Sequence, residues 1–137
     1  MSVTREFHCR LQVRSYELDR FDHVNHAVFL NYLEYARQSS LRELGLSFQA
    51  LQEQGILYVV AGVKIDYLKP LREGDEVEII TRYEFSGRRS FLAHQEIVRL
   101  GDSPEAAARA RITLVSVDSR GRSCPVHPEQ VKLFLRS

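Results

Sequence analysis

Two cysteines are all the chain has, and Cys9 and Cys124 lie far apart without CxxC spacing. Two reduced thiols, rather than a disulfide, are the expectation. No apolar run approaches the ~20 residues needed to span a bilayer. The start, Met-Ser-Val-Thr-Arg-Glu-Phe-His, lacks the apolar stretch of a signal peptide. A cytoplasmic protein without a membrane partner is expected. Charge of one sign is also missing: 19 Lys and Arg face 18 Asp and Glu, a formal net of +1. That balance gives no global reason to expect nucleic acid, although local basic clusters remain compatible with it. Glycine-rich phosphate loops of either common type are absent. So are linkers, repeats and low-complexity segments.

What remains is an ordinary globular composition, 44% hydrophobic and 27% charged, over 137 residues. That length buries one core and hardly two, so residues 1–137 read as a single domain. Residues 7–16 alternate, with Phe7, Cys9, Leu11 and Val13 on one face, and predict a half-buried strand. From Ala27 to Leu44 the period becomes helical. Leu30, Leu33, Arg37, Leu41 and Leu44 form one stripe, widened by Phe29, Tyr32 and Ala36, and Gly45 is a natural stop. Ser47 is placed to cap a short second helix ending at Gly55.

The rest reads as sheet. Strands are predicted over 59–67, 76–85, about 90–100 and about 107–118, with Ser86-Gly87-Arg88-Arg89 as a hairpin signal. Pro128 opens a short terminal helix with Val131, Leu133 and Phe134 inward. A single helix with so wide an apolar surface needs a sheet curved around it. The expected class is α+β, a curved antiparallel sheet of about five strands wrapped around one long helix, with an exposed last strand.

Between the first strand and the long helix lies a turn dense in acid, base and amide groups: Asp19, Asp22, His23, Asn25 and His26. A helix start offers unpaired backbone N–H groups and a positive dipole end. An acid beside it can attack a carbonyl, or activate water against it, while those N–H groups hold the developing oxyanion. The plainer roles are structural. Asp19 can cap the turn, Asn25 is the best N-cap of the stretch, and His23 suits turn structure. A metal site would need further His or Cys ligands at suitable spacing, and none is present.

The same stretch resembles the signature of hotdog acyl-CoA thioesterases of the 4-hydroxybenzoyl-CoA thioesterase type. The matching residues are Asp19, Val24-Asn25, Phe29, and Glu34 with Arg37. A second block, Asp66-Tyr67-Leu68-Lys69-Pro70-Leu71-Arg72-Glu73-Gly74-Asp75, matches that family's strand-turn-strand pattern. The resemblance implies the hotdog fold and hydrolysis of acyl-CoA or acyl-carrier-protein thioesters to free acid and thiol. It implies Asp19 as base or nucleophile, and a backbone N–H near His26 as the oxyanion site, with the His26 side chain helping to orient water or substrate. It implies no cofactor, coenzyme A being part of the substrate, and a homodimer or homotetramer with sites between subunits. Relatives usually carry Gly where this chain has Asp22, a residue that also tolerates positive φ.

Asn25, Arg88 and Arg89 are the expected substrate-binding residues, the arginine pair meeting phosphates of coenzyme A; Lys64, Lys69 and Arg72 are weaker candidates. Glu34 and Arg37, at i and i+3, are expected to pair. Two rival readings are a hotdog hydratase or dehydratase of β-hydroxyacyl thioesters, using Asp19 with His26, and a non-catalytic acyl-CoA-binding protein.

Overall fold

The computed structural model describes residues 2, 3, 5–85 and 87–135, so Ser86 of the hairpin signal lies outside the described residues. The strands are β1 (Ser2–Val3), β2 (Phe7–Gln12), β3 (Ile56–Tyr67), β4 (Glu76–Phe85), β5 (Ser90–Arg99) and β6 (Glu105–Asp118). The helices are α1 (His26–Glu43), α2 (Phe48–Glu53) and α3 (Pro128–Leu135). The strands form one antiparallel sheet in the order β2-β4-β5-β6-β3, with β1 continuing the β2 edge along the end of β4. Alternation drives its inner face. Val77, Ile79, Thr81 and Tyr83 of β4, and Phe91, Ala93, Gln95 and Ile97 of β5, are all buried. Most of them join Phe29, Leu33 and Ala36 of α1 in one apolar core cluster. One long helix held in one antiparallel sheet is the hotdog arrangement. No helix among the described residues is long and apolar enough to cross a membrane, and both cysteines are free thiols.

Several boundaries and faces differ from the sequence expectation. The first strand ends at Gln12 rather than continuing to residue 16. Beyond it, Ser15–Glu17 forms a 3-10 turn, closed by the Glu17 amide on the Arg14 carbonyl at 3.1 Å. Val13 keeps the alternation because it stays buried, not because the strand persists. The buried stripe of α1 is rotated: Phe29, Tyr32, Leu33, Ala36 and Ser40 face the core. Leu30 is 37% exposed. A serine can occupy that face because its hydroxyl is satisfied, bonding the Arg37 carbonyl at 2.7 Å and the Tyr83 hydroxyl at 2.6 Å.

The last strand is not an edge. β6 lies between β5 and β3, and the edge at that end of the sheet is β3, whose sequential neighbour β4 sits three positions away. The β3–β6 register shifts between Val60 and Gly62, an irregularity that bends the edge strand. Along β3, Val59, Val60 and Val63 remain 41%, 49% and 48% exposed.

The rotated helix face carries a stability prediction. Leu33 is 1% exposed, and Leu33→Ala should cost about 3 kcal/mol. Leu30→Ala should cost under about 1 kcal/mol. Urea unfolding of the two variants reads the difference, and equal losses would contradict the rotation.

Candidate active site

Asp19 is presented by a tight loop between the 3-10 turn and α1. The loop is zipped by a Leu18–Val24 bridge and by the Asp19 amide donating to the His23 carbonyl at 2.7 Å. At its tip Asp22 takes φ 61, the left-handed conformation that favours glycine and that aspartate tolerates. The two oxygens of the Asp19 carboxylate are differently placed. Its Oδ1 accepts from the Phe21 amide at 2.8 Å and the His23 amide at 3.3 Å. No protein donor among the described residues reaches Oδ2.

α1 begins beside that loop. The Asn25 side chain accepts from the Ala27 amide at 2.9 Å, and the Asn25 carbonyl accepts from the Val28 amide at 2.9 Å. Beside these bonds the His26 amide has no acceptor among the described residues. An unpaired N–H at the first position of an 18-residue helix lies where the helix dipole is most positive. Asp19 and His26 line one open recess of about 320 Å³, together with His23, Phe29, Tyr67 and Lys69.

The far wall of the recess is the end of β3. Tyr67 donates its hydroxyl to the His26 carbonyl at 2.8 Å. Its ring stands edge-on to Phe29, with centroids 5.2 Å apart, and to the His26 ring at 6.4 Å. Strand and helix start are thereby locked together. Sequence pattern alone does not single out Tyr67, which reads as one member of an alternating strand. Its place two residues before Lys69-Pro70, at the strand end, is the available signal.

The other candidate residues are spread more widely. The Asn25 side chain is spent on the helix cap, and that bond accounts for its position. Arg88 and Arg89 lie on the exposed β4–β5 connection and do not line the Asp19 recess. Arg89 Nη1 donates to the Ser123 carbonyl at 2.8 Å, tying the hairpin to the segment after β6. Lys69 is the basic residue that does line the recess. Arg37 makes no ion pair with Glu34; its Nη1 donates to Gln95 Oε1 at 3.0 Å. Burial lowers the Arg37 pKa. Gln95 completes that network by donating to the Leu33 carbonyl and to Thr81 Oγ1, each at 3.0 Å.

A second, larger cavity of about 580 Å³ lies at the opposite end of α1, between that helix, α2 and the start of β3. Leu41, Phe48, Leu57, Val60 and Leu114 give it apolar walls, and Arg37 and Tyr83 give it polar points. Burial pushes the Tyr83 phenol up to about 12, and Ser40 bonds its hydroxyl.

If Asn25 serves as a cap, Asn25→Ala should cost about 1 kcal/mol of stability and Asn25→Ser should restore most of it. Thermal melts with parallel KM measurements test this. A large rise in KM for Asn25→Ser, at unchanged stability, would instead assign the side chain to substrate.

The sequence and the fold have counterparts among known proteins. Residues 13–134 match the thioesterase-like superfamily. The long-chain acyl-CoA thioesterase FadM of Escherichia coli is 33% identical over 110 residues, covering 80% of this chain and 81% of that protein. The chloroplastic acyl-acyl carrier protein thioesterase ATL3 of Arabidopsis thaliana is 36% identical over 91 residues. That alignment covers 65% of this chain, which spans about half of the relative, 48% of its length. In fold, the chain superposes with TM-score 0.88 on an aspartate-to-asparagine variant of 4-hydroxybenzoyl CoA thioesterase bound to 4-hydroxybenzoyl CoA. Identity there is 17%, and the match covers 95% of this chain and 99% of the other. A probable thioesterase from Escherichia coli, YbaW, superposes with TM-score 0.80 at 26% identity, covering 95% of this chain and 99% of that one. With the match running through nearly all of the described fold, this chain belongs to the thioesterase-like superfamily.

Proposed function

We propose that this chain hydrolyses acyl thioesters, of coenzyme A or of acyl carrier protein, to a free acid and a thiol. The observation that carries the reading is one recess lined by two residues that each keep a group unspent, Asp19 its Oδ2 and His26 its amide. The thioester carbonyl oxygen would accept from the His26 N–H. Asp19 would take a proton from water as its oxygen adds to the carbonyl carbon, or would add to that carbon itself. Both routes require the same carboxylate in the same place. On the first route, collapse of the tetrahedral oxyanion breaks the C–S bond and the thiolate takes the proton that Asp19 received from water. On the second, the same collapse leaves a mixed anhydride at Asp19, which water hydrolyses to the free acid, its proton going to the thiolate. The His26 ring, exposed and edge-on to Tyr67, would orient water or the thioester, and Lys69 would meet an anionic part of the carrier. The two free thiols fit a cytoplasmic setting.

The unit that works is proposed to be a dimer. A twelve-residue free edge bearing exposed valines is an uncapped template for strand pairing. A second copy docking antiparallel on β3 would form a two-fold, self-complementary interface. Such pairing sets the start of one β3 opposite the end of the other. The 580 Å³ cavity lies at the start of β3 and the Asp19 recess at its end. Each recess would then open toward the partner's apolar cavity, which suits an aliphatic, fatty acyl chain.

In a free-thiol assay over a panel of acyl-CoA esters, Asp19→Asn should lower kcat by about 10²–10⁴-fold at little-changed KM. Turnover equal to that of the wild-type chain would refute the role of Asp19. Val63→Asp should convert a dimer to a monomer by light scattering and remove turnover with it. An active monomer would refute the shared site.

A further inference from the structure

The active-site loop is held to the helix by a buried carboxylate that the chemistry itself does not use. Glu17 lies two residues before Asp19 and is 9% exposed. Its Oε1 accepts from the Tyr32 hydroxyl at 2.7 Å and from the Arg14 amide at 2.8 Å. Its Oε2 accepts from Arg14 Nη1 at 3.5 Å. The backbone carbonyl of the same residue accepts from the Asn25 amide at 2.9 Å, closing the neck of the Asp19 loop. One residue therefore ties both ends of that loop together and ties them to α1.

The helical partner in this bond is well placed to transmit position. Tyr32 is buried, and its ring packs against Phe29 with centroids 6.4 Å apart. Phe29 packs on Tyr67, whose hydroxyl holds the His26 carbonyl. The loop with the acid and the helix start with the amide thus meet at the Glu17–Tyr32 bond. Burial first, and then the hydrogen bond to Glu17, push the Tyr32 phenol well above its usual range.

A carboxylate paired with Arg14 and a tyrosine could simply stabilise the fold. Misplacing reacting groups by about 1 Å can cost on the order of 10²-fold in rate, and this bond spans the two elements whose separation sets that distance. We propose that Glu17 and Tyr32 are a positioning pair that fixes the Asp19 carboxylate relative to the His26 amide. The inference rests on the thioesterase reading of the recess and names residues that hold that site in register.

The test is a kinetic cycle on the full chain with an acyl-CoA substrate, with folding checked by thermal melts. Tyr32→Phe removes one hydroxyl and should lower kcat about 10- to 100-fold with KM within about two-fold. Glu17→Gln keeps an acceptor for Tyr32 and should retain kcat within a few-fold, whereas Glu17→Leu should match Tyr32→Phe. In an Asp19→Asn background, Tyr32→Phe should have no further effect on the residual rate. Wild-type kcat in Tyr32→Phe, or the same fold-loss with and without Asp19, overturns the positioning role while leaving the role of Asp19 standing. Full turnover by Asp19→Asn alone overturns both.

Discussion

An α-helix cannot satisfy its own first amides, and the site proposed for this protein is arranged around one of them. Asn25 closes the Ala27 and Val28 amides and leaves His26 open. Such a donor has consequence only if it is held still and faces a group that can react. The first condition is met by Tyr67, which clamps the His26 carbonyl from the end of β3. For the second we propose Asp19, which lines the same recess and whose loop uses one carboxylate oxygen for its own structure and leaves the other unspent. Preorganisation of this kind needs no reorganisation at the moment of reaction.

The sheet supplies the rigidity behind that arrangement. β4 and β5 bury alternating side chains against α1, so the helix axis is fixed by packing before any polar contact is considered. The polar groups admitted to this core have partners. Gln95 joins Leu33, Thr81 and Arg37; Ser40 joins Tyr83; Glu17 joins Tyr32 and Arg14. A buried polar group left without a partner would cost more than most core contacts return. In a helix with Arg37 on its flank, the Gln95 amide is what lets the guanidinium sit against the core without a carboxylate.

The local parts of this architecture were legible in the sequence because they depend on near neighbours. The cap at Asn25, the positive φ at Asp22, the Ser47 cap of α2 and Pro128 at the head of α3 all follow from residue type and position. The family likeness of the 16–37 stretch pointed to the fold and to thioester chemistry. What stayed hidden depends on partners distant in the chain. Periodicity cannot say that β3 pairs with β6 rather than β4, so it places an edge on β6 that belongs to β3. It ranks Leu30 above Ser40 on the helix because the bond from Ser40 to Tyr83 spans 43 residues. Glu17 and Tyr67 are hidden for the same reason, since each acts through a residue on another element. Arg88 and Arg89 stand out by charge alone, which carries no information about which recess a side chain lines.

The proposed chemistry requires that the thioester carbonyl be received by the His26 amide and face Asp19. A crystal structure of Asp19→Asn with an intact acyl-CoA bound addresses it directly. The carbonyl oxygen should lie about 2.7–3.1 Å from the His26 nitrogen, with the substituted side chain at position 19 beside the carbonyl carbon. A carbonyl bound away from the start of α1, with the His26 amide facing solvent, would contradict it.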